Sequence, residues 1–252
     1  MKIPYITAHS GCEGTPRDSM DAIEQAVALG ADIVEMDVRR AQDGVLRISH
    51  DPLSLEEYAE KPTLLEVFQR LAGTGLSLNC DVKEQAALYD TLKLAASMGF
   101  DRDRLILSGC TSPEQLVRDP SLRERARIYV NIEELLKFLY LMEHPPAYGP
   151  DFAQLMAEPW HFLKKAALPD RWLDEIVRFA KNVPVQGVNL PYRCLTDPFV
   201  QRLREAEVPF SVWTVNDPDI VEYCIRSGAE NITTLEVRMA LARRQALCGT
   251  GE

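Results

Sequence analysis

Gly30-Ala31-Asp32-Ile33-Val34-Glu35-Met36-Asp37-Val38 opens on a helix-stopping glycine and continues as a β-prone run, residues 32–38, with two carboxylates inside it. Residues two apart on a strand share a face, so Glu35 and Asp37 project together. The run is second in a series of eight: residues 4–9, 32–38, 76–82, 105–108, 127–131, 187–190, 210–215 and 231–234. Segments with apolar spacing near 3.6 lie between them, such as Ile23 and Val27, or Leu88, Leu92 and Ala95. Asp18 or Ser19, Thr63 with Glu66 three residues on, and Thr196 read as helix starts. Gly30, Gly73, Gly99 and Gly228 read as stops. Eight βα repeats in 252 residues predict an α/β fold, a (β/α)8 TIM barrel forming one domain over residues 1–252, in preference to a doubly wound sheet. Two excursions interrupt the repeat. Asp43-Gly44 marks a hairpin after strand two, and a Pro-rich insertion after strand five runs from about His144 to Pro169.

The composition is that of an ordinary globular protein, 46% hydrophobic and 26% charged. With 28 basic and 38 acidic side chains the net charge is −10, which disfavours a nucleic-acid partner. No run reaches the roughly 18 apolar residues that would span a bilayer, so no stable membrane insertion is expected. The first residues turn polar too soon for a signal peptide, and a cytoplasmic, reducing compartment is the expectation. Six scattered cysteines without a CxxC pair then read as free thiols.

Strand three carries Asp81 and Lys83 on one face, by the same two-residue rule that pairs Glu35 with Asp37. In a parallel barrel both strand faces are covered, so three carboxylates near the same end of adjacent strands would repel and resist desolvation. A divalent cation resolves that conflict, and oxygen-only ligands select Mg²⁺ or Ca²⁺ over zinc. The alternative is that Glu35 and Asp37 form ion pairs with Arg39, Arg40 or Lys83, or face solvent at a strand end. Histidine is scarce: His9 closes strand one, and His50 ends the return arm of the hairpin that leaves strand two. Both fall at the C-terminal ends of barrel strands, where such folds place chemistry, and imidazoles there suit general acid and base roles. His144 and His161 fall in the insertion and read as surface or lid residues.

Taken in order, these residues resemble the glycerophosphodiester phosphodiesterase family. The matching pieces are Ala8-His9-Ser10-Gly11, Pro16, the stretch 30–38, Asp43-Gly44, His50-Asp51, Pro62-Thr63-Leu64, Asp81-Val82-Lys83 and Trp213-Thr214-Val215-Asn216-Asp217. The resemblance covers most of the chain and thins between about Thr111 and Val185. It implies a (β/α)8 barrel that binds one divalent cation, Mg²⁺ or Ca²⁺. That barrel would hydrolyse a small-molecule glycerophosphodiester to glycerol 3-phosphate and an alcohol, with a deacylated lipid headgroup as the usual substrate. Carried over residue by residue, it makes His9 and His50 catalytic and Glu35, Asp37 and Asp81 metal ligands. Lys83 becomes a phosphate-neutralising catalytic lysine and Trp213 a substrate-side wall.

The departures are equally specific. Ser10 stands where the family has an arginine after the first histidine, and Pro16-Arg17-Asp18-Ser19 replaces Pro-Glu-Asn-Thr. Asp81 replaces a glutamate, and the stretch between Asp51 and Pro62 is shorter than the family's insertion. Arg17, Arg39 or Arg193 could supply the missing bidentate donor, with Arg17 and Arg193 the substrate-binding candidates. A lyase forming a cyclic phosphate, or a non-catalytic metal- and phosphate-binding barrel, are the alternatives that Ser10 and Arg17 raise.

Overall fold

The computed structural model describes residues 3–143, 168–183 and 185–249. Its strands are β1 (Tyr5–Ala8), β2 (Ile33–Arg40), β3 (Leu46–Ile48), β4 (Ser77–Val82), β5 (Leu105–Gly109), β6 (Arg127–Asn131), β7 (Gly187–Pro191), β8 (Phe210–Trp213) and β9 (Asn231–Thr234). They form one sheet in the order β1-β9-β8-β7-β6-β5-β4-β2-β3, and a β1–β2 pairing closes it. Every pairing is parallel except β2 with β3. Eight parallel strands thus make the expected (β/α)8 barrel, and β3 is the return arm of the Asp43-Gly44 hairpin. Gly44 sits at φ +82° there, with its N–H on the Ala41 carbonyl at 2.9 Å. Pairing with β3 also carries β2 past Val38 to Arg40, two residues beyond the sequence pattern.

The helices begin and end largely as read. Ser19 caps the helix Met20–Leu29 by accepting from the Ala22 N–H, and Thr63 and Glu66 form a capping box on Leu64–Ala72. Thr196 occupies the cap position of Asp197–Glu205, but its side chain accepts no capping bond. Gly30 and Gly228 close their helices in the left-handed region, whereas Gly73 ends its helix at φ −85°. All six cysteines are free thiols. His144 and His161 lie outside the described residues, as does the Pro-rich insertion up to residue 167.

Strand alternation sorts the barrel into two environments. Ile6, Ala8, Val34, Met36, Val38, Leu78, Cys80, Val82, Leu107, Val130, Val188, Leu190, Val212 and Ile232 join the main core shared with the helices. The intervening positions form a small apolar cluster, Ile33, Ile106 and Tyr129, near the strand starts. Further along, the interior is polar. Thr7 donates to Asn231 Oδ1 (2.6 Å), Asn231 donates to Ser211 (2.9 Å), Asn189 to Asn131 (2.9 Å) and Ser108 to Asn79 (3.2 Å). Bonds between neighbouring strands satisfy groups that would be costly to bury alone.

Gly187 opens β7 where a Cβ would collide with the Pro209 carbonyl. Gly187→Ala is therefore expected to cost about 1–3 kcal/mol by overpacking, read as a lower urea midpoint with an unchanged m-value. A midpoint within error of the parent would show that β7 and β8 separate freely at this point.

Candidate active site

The two partners on one edge of β2 divide its length. β1 pairs only as far as Ala8 with Val34, and β3 enters only at Ile48 with Val38. Glu35, Met36 and Asp37 face the junction, and a histidine arrives from each side of it. His9 follows β1 directly and is anchored by its N–H on the Thr234 carbonyl at 2.9 Å. His50 follows Ser49, whose N–H donates to the Asp37 carbonyl at 3.0 Å. Asp18 ties the two arms together. Its carboxylate accepts from the Ser10 hydroxyl (3.2 Å) and from the His50 N–H (3.1 Å), and its own N–H donates to Ser10 Oγ (2.8 Å). Ser10 is 2% exposed and fully engaged in this tie, so it takes no place on the cavity wall.

On the other edge of β2, register sets Asp37 opposite Asp81 and Glu35 opposite Asn79 on β4. Ligand atoms from Glu35, Asp37 and Asp81 all lie within 4.8 Å of one another. Lys83 bridges two of them, with Nζ 2.6 Å from Asp37 Oδ1 and also bonded to Asp81. Arg17 reaches Asp37 Oδ2 at 3.3 Å, and Ser108 donates to Asp81 at 3.2 Å. Gly109, at φ +78°, lies so close that a Cβ there would strike Asp81 Oδ1. The ion-pair alternative is thus realised for Asp37 with Lys83, whereas Arg39 and Arg40 pair with Glu84 and Asp90, and the pairs of Arg17 with Asp37 and Lys83 with Asp81 come in addition. Glu35 stands outside it: it is 5% exposed, its nearest cation candidate is His9 Nε2 at 3.8 Å, and the Ser10 N–H approaches to 3.4 Å.

Burial, reinforced by Asp37 and Asp81, pushes the Glu35 carboxyl well above its usual range. Burial also raises Asp81, while Lys83 pulls against it. The same burial acts on Asp37, but Lys83, His50 and Arg17 outweigh it and hold that group below the usual range. Burial works against the Lys83 charge, and Asp81 and Asp37 more than restore it. Three carboxylates against two cations leave surplus negative charge on an all-oxygen donor set, with Glu35 unpaired. That donor set fits a hard divalent cation.

Burial depresses the His9 pKa and favours the neutral ring. The contact of Nδ1 with the Ser10 carbonyl, at 3.1 Å, places the proton there and leaves Nε2 basic. His50 Nδ1 is bonded to Asp51 Oδ1 at 2.8 Å, a pairing that orients the ring. Both rings line a cavity of about 390 Å³ together with Arg17, Glu35, Asp37, Asp81, Lys83 and Trp213. Arg193 lies elsewhere, exposed and 5.6 Å from the Tyr192 ring centroid. Arg39 is spent on the His50 carbonyl at 3.0 Å and on Glu84.

The family profile described as "Glycerophosphoryl diester phosphodiesterase family" matches residues 9–59, which hold His9, Glu35, Asp37 and His50. The chain is 22% identical over 259 residues to the glycerophosphodiester phosphodiesterase of Caldanaerobacter subterraneus, covering 91% of this chain and 93% of that one. The chain is thus similar, over residues 9–59 and in these relatives, to the glycerophosphodiester phosphodiesterase family. It is also 25% identical over 242 residues to the uncharacterized protein YqiK of Bacillus subtilis, covering 91% and 93% of the two chains. Among solved structures, the glycerophosphodiester phosphodiesterase of Thermotoga maritima shares the barrel at TM-score 0.69 and 19% identity, over 96% of this chain and 99% of that one. An Oleispira antarctica phosphodiesterase, solved with the product sn-glycerol-3-phosphate, shares it at 0.65 and 17%, over 96% of each chain.

Several cavity residues escape the sequence reading, among them Asn79, Asn131, Glu133 and Asn189. The three asparagines each sit between apolar neighbours inside a strand, and that interruption was the available signal. Glu133 had none, since it reads as an ordinary first-turn helix carboxylate. It is only 6% exposed, and burial first of all pushes its pKa up to about 7.

A folded pKa raised above the unfolded value means that the native state binds the extra proton. Glu133 therefore contributes no penalty below the unfolded value and destabilises progressively as pH rises from about 4.5 toward 7. Glu133→Gln should abolish that loss, and the gap between variant and parent in urea should widen by up to about 3 kcal/mol between pH 4.5 and 8. Parallel pH profiles for the two proteins would show that Glu133 ionises freely.

Proposed function

We propose that this chain, acting as one barrel domain over residues 1–252, hydrolyses glycerophosphodiesters to glycerol 3-phosphate and an alcohol with the help of one divalent cation, Mg²⁺ or Ca²⁺. The observation that carries the reading is the crowding of Glu35, Asp37 and Asp81 within 4.8 Å of one another, in a cavity also lined by His9 and His50. Glu35, Asp37 and Asp81 would hold the cation, which when bound supplies positive charge to a non-bridging phosphate oxygen. Lys83 and Arg17, now drawn onto Asp37, would turn to the phosphate from either side, and Arg17 thereby does the work of the family arginine that Ser10 lacks. His9, neutral and basic at Nε2, accepts the proton of the attacking hydroxyl, either water or the glycerol 2-hydroxyl, the latter giving a cyclic phosphate that water then opens to glycerol 3-phosphate. His50, oriented by Asp51, returns a proton to the leaving alkoxide. Trp213 walls the substrate side. In the cell the same reading makes the protein a cytoplasmic enzyme of lipid-headgroup turnover.

Incubation with glycerophosphocholine and related diesters, followed by phosphorus NMR, is expected to show glycerol 3-phosphate with Mg²⁺ or Ca²⁺ and none with EDTA. A cyclic phosphate as the final product would assign the lyase alternative, and turnover insensitive to EDTA would refute the metal scheme. Asp37→Asn removes one ligand charge, so activity should fall by more than the ~10–100-fold that losing an outer-shell partner costs. The stabilisation of the parent by either cation in thermal melts should shrink in the variant. Full activity with an unchanged metal response would remove Asp37 from the site.

A further inference from the structure

The cavity has a second wall, at the ends of β6, β7 and β8 and the start of the helix Ile132–Glu143, of which the chemistry above uses only Trp213. Asn189 Nδ2 donates to Asn131 Oδ1 at 2.9 Å, and Asn131 Nδ2 donates to Glu133 Oε1 at 3.2 Å. A carboxylate only accepts, so Glu133 sets the direction of this chain and turns the amide oxygen of Asn189 outward. At its two ends, Glu133 Oε2 and Asn189 Oδ1 are buried acceptors with no hydrogen-bond partner among the described residues. Their side chains are 6% and 9% exposed, and both line the cavity. Trp213 Nε1, a buried donor on the same wall, also has no partner. Buried polar atoms are nearly always matched, so two free acceptors and a free donor facing one cavity call for a ligand that supplies the complement. Burial that holds the Glu133 carboxyl near neutrality agrees with a group awaiting a donor. Whichever nucleophile His9 activates attacks from the β1–β2 side, and in-line displacement sends the leaving alcohol to the opposite side of phosphorus, toward this wall.

Resting on the phosphodiesterase reading, we propose that Glu133 and Asn189 form a specificity subsite for hydrogen-bond donors on the leaving alcohol, a hydroxyl or a primary ammonium. A glycerol or ethanolamine headgroup then binds productively, whereas a quaternary ammonium headgroup, which has no N–H or O–H to donate, does not complete the wall.

The test compares kcat/KM for glycerophosphoethanolamine, glycerophosphoglycerol and glycerophosphocholine at saturating Mg²⁺. The parent should favour at least one of the two donor-bearing diesters over the choline diester by tenfold or more, and Glu133→Leu should lower that ratio at least tenfold. Glu133→Gln keeps an acceptor without the charge. Loss confined to the ethanolamine diester in that variant identifies an ammonium as the ligand, and retention of the glycerol diester identifies a hydroxyl. Asn189→Ser should lower the same ratio, which keeps the proposal open to refutation if the leucine variant misfolds. A parent without preference, or variants that slow all three diesters equally, would overturn the subsite while leaving the phosphodiesterase reading intact. A parent inactive on all three would overturn that reading, and the subsite with it.

Discussion

Two carboxylates placed side by side by parallel register, with a third one step back on the same face, dominate the energetics of this molecule. Asp37 and Asp81 are opposite one another on β2 and β4, and Glu35 is buried two residues earlier. Unit charges a few ångströms apart in a poorly hydrated interior repel by several kcal/mol, so this arrangement needs cations. Lys83 comes from β4's own continuation and Arg17 from the loop after β1, and both converge on Asp37. Neither forms an ion pair with Glu35, whose carboxyl is pushed well above its usual range by burial, reinforced by Asp37 and Asp81. The unmet charge is what fits the cluster to a dication better than to a closed salt bridge.

The barrel is arranged around that need. β1 is short, so it vacates the edge of β2 just where the carboxylates begin, and the β3 hairpin occupies the edge just beyond them. Each element thereby delivers one histidine to the same junction. Asp18 locks the two arms together through Ser10 and the His50 amide. A serine at position 10 thus serves as a tie within the scaffold, and the guanidinium on the cavity side comes from Arg17 instead.

Polarity continues around the interior, where a TIM barrel more often stacks branched apolar side chains. Asn79, Asn131, Asn189, Ser108, Ser211 and Asn231 bond to neighbours on adjacent strands, which keeps their burial affordable and their rotamers fixed. Rigid asparagines give Glu133 a defined orientation, so the wall facing the carboxylates is also built and not merely left over.

Much of this was legible in the chain itself. Eight β-prone runs alternating with capped helical segments determine the barrel, because hydrophobic period and turn chemistry are local properties. The two-residue rule alone puts Glu35 with Asp37 and Asp81 with Lys83, since a strand's alternation does not depend on its neighbours. The scarcity of histidine singled out His9 and His50. Tertiary structure decided what depends on register and on approach across the fold: that Asp37 faces Asp81, that Lys83 and Arg17 pair with them while Arg193 stays outside, and that Ser10 is absorbed by Asp18. It also decided Glu133, whose place in the sequence is that of a solvated helix-start carboxylate. Only burial against the cavity wall changes its ionisation, and burial is a property of the packed barrel, not of the residues on either side of it.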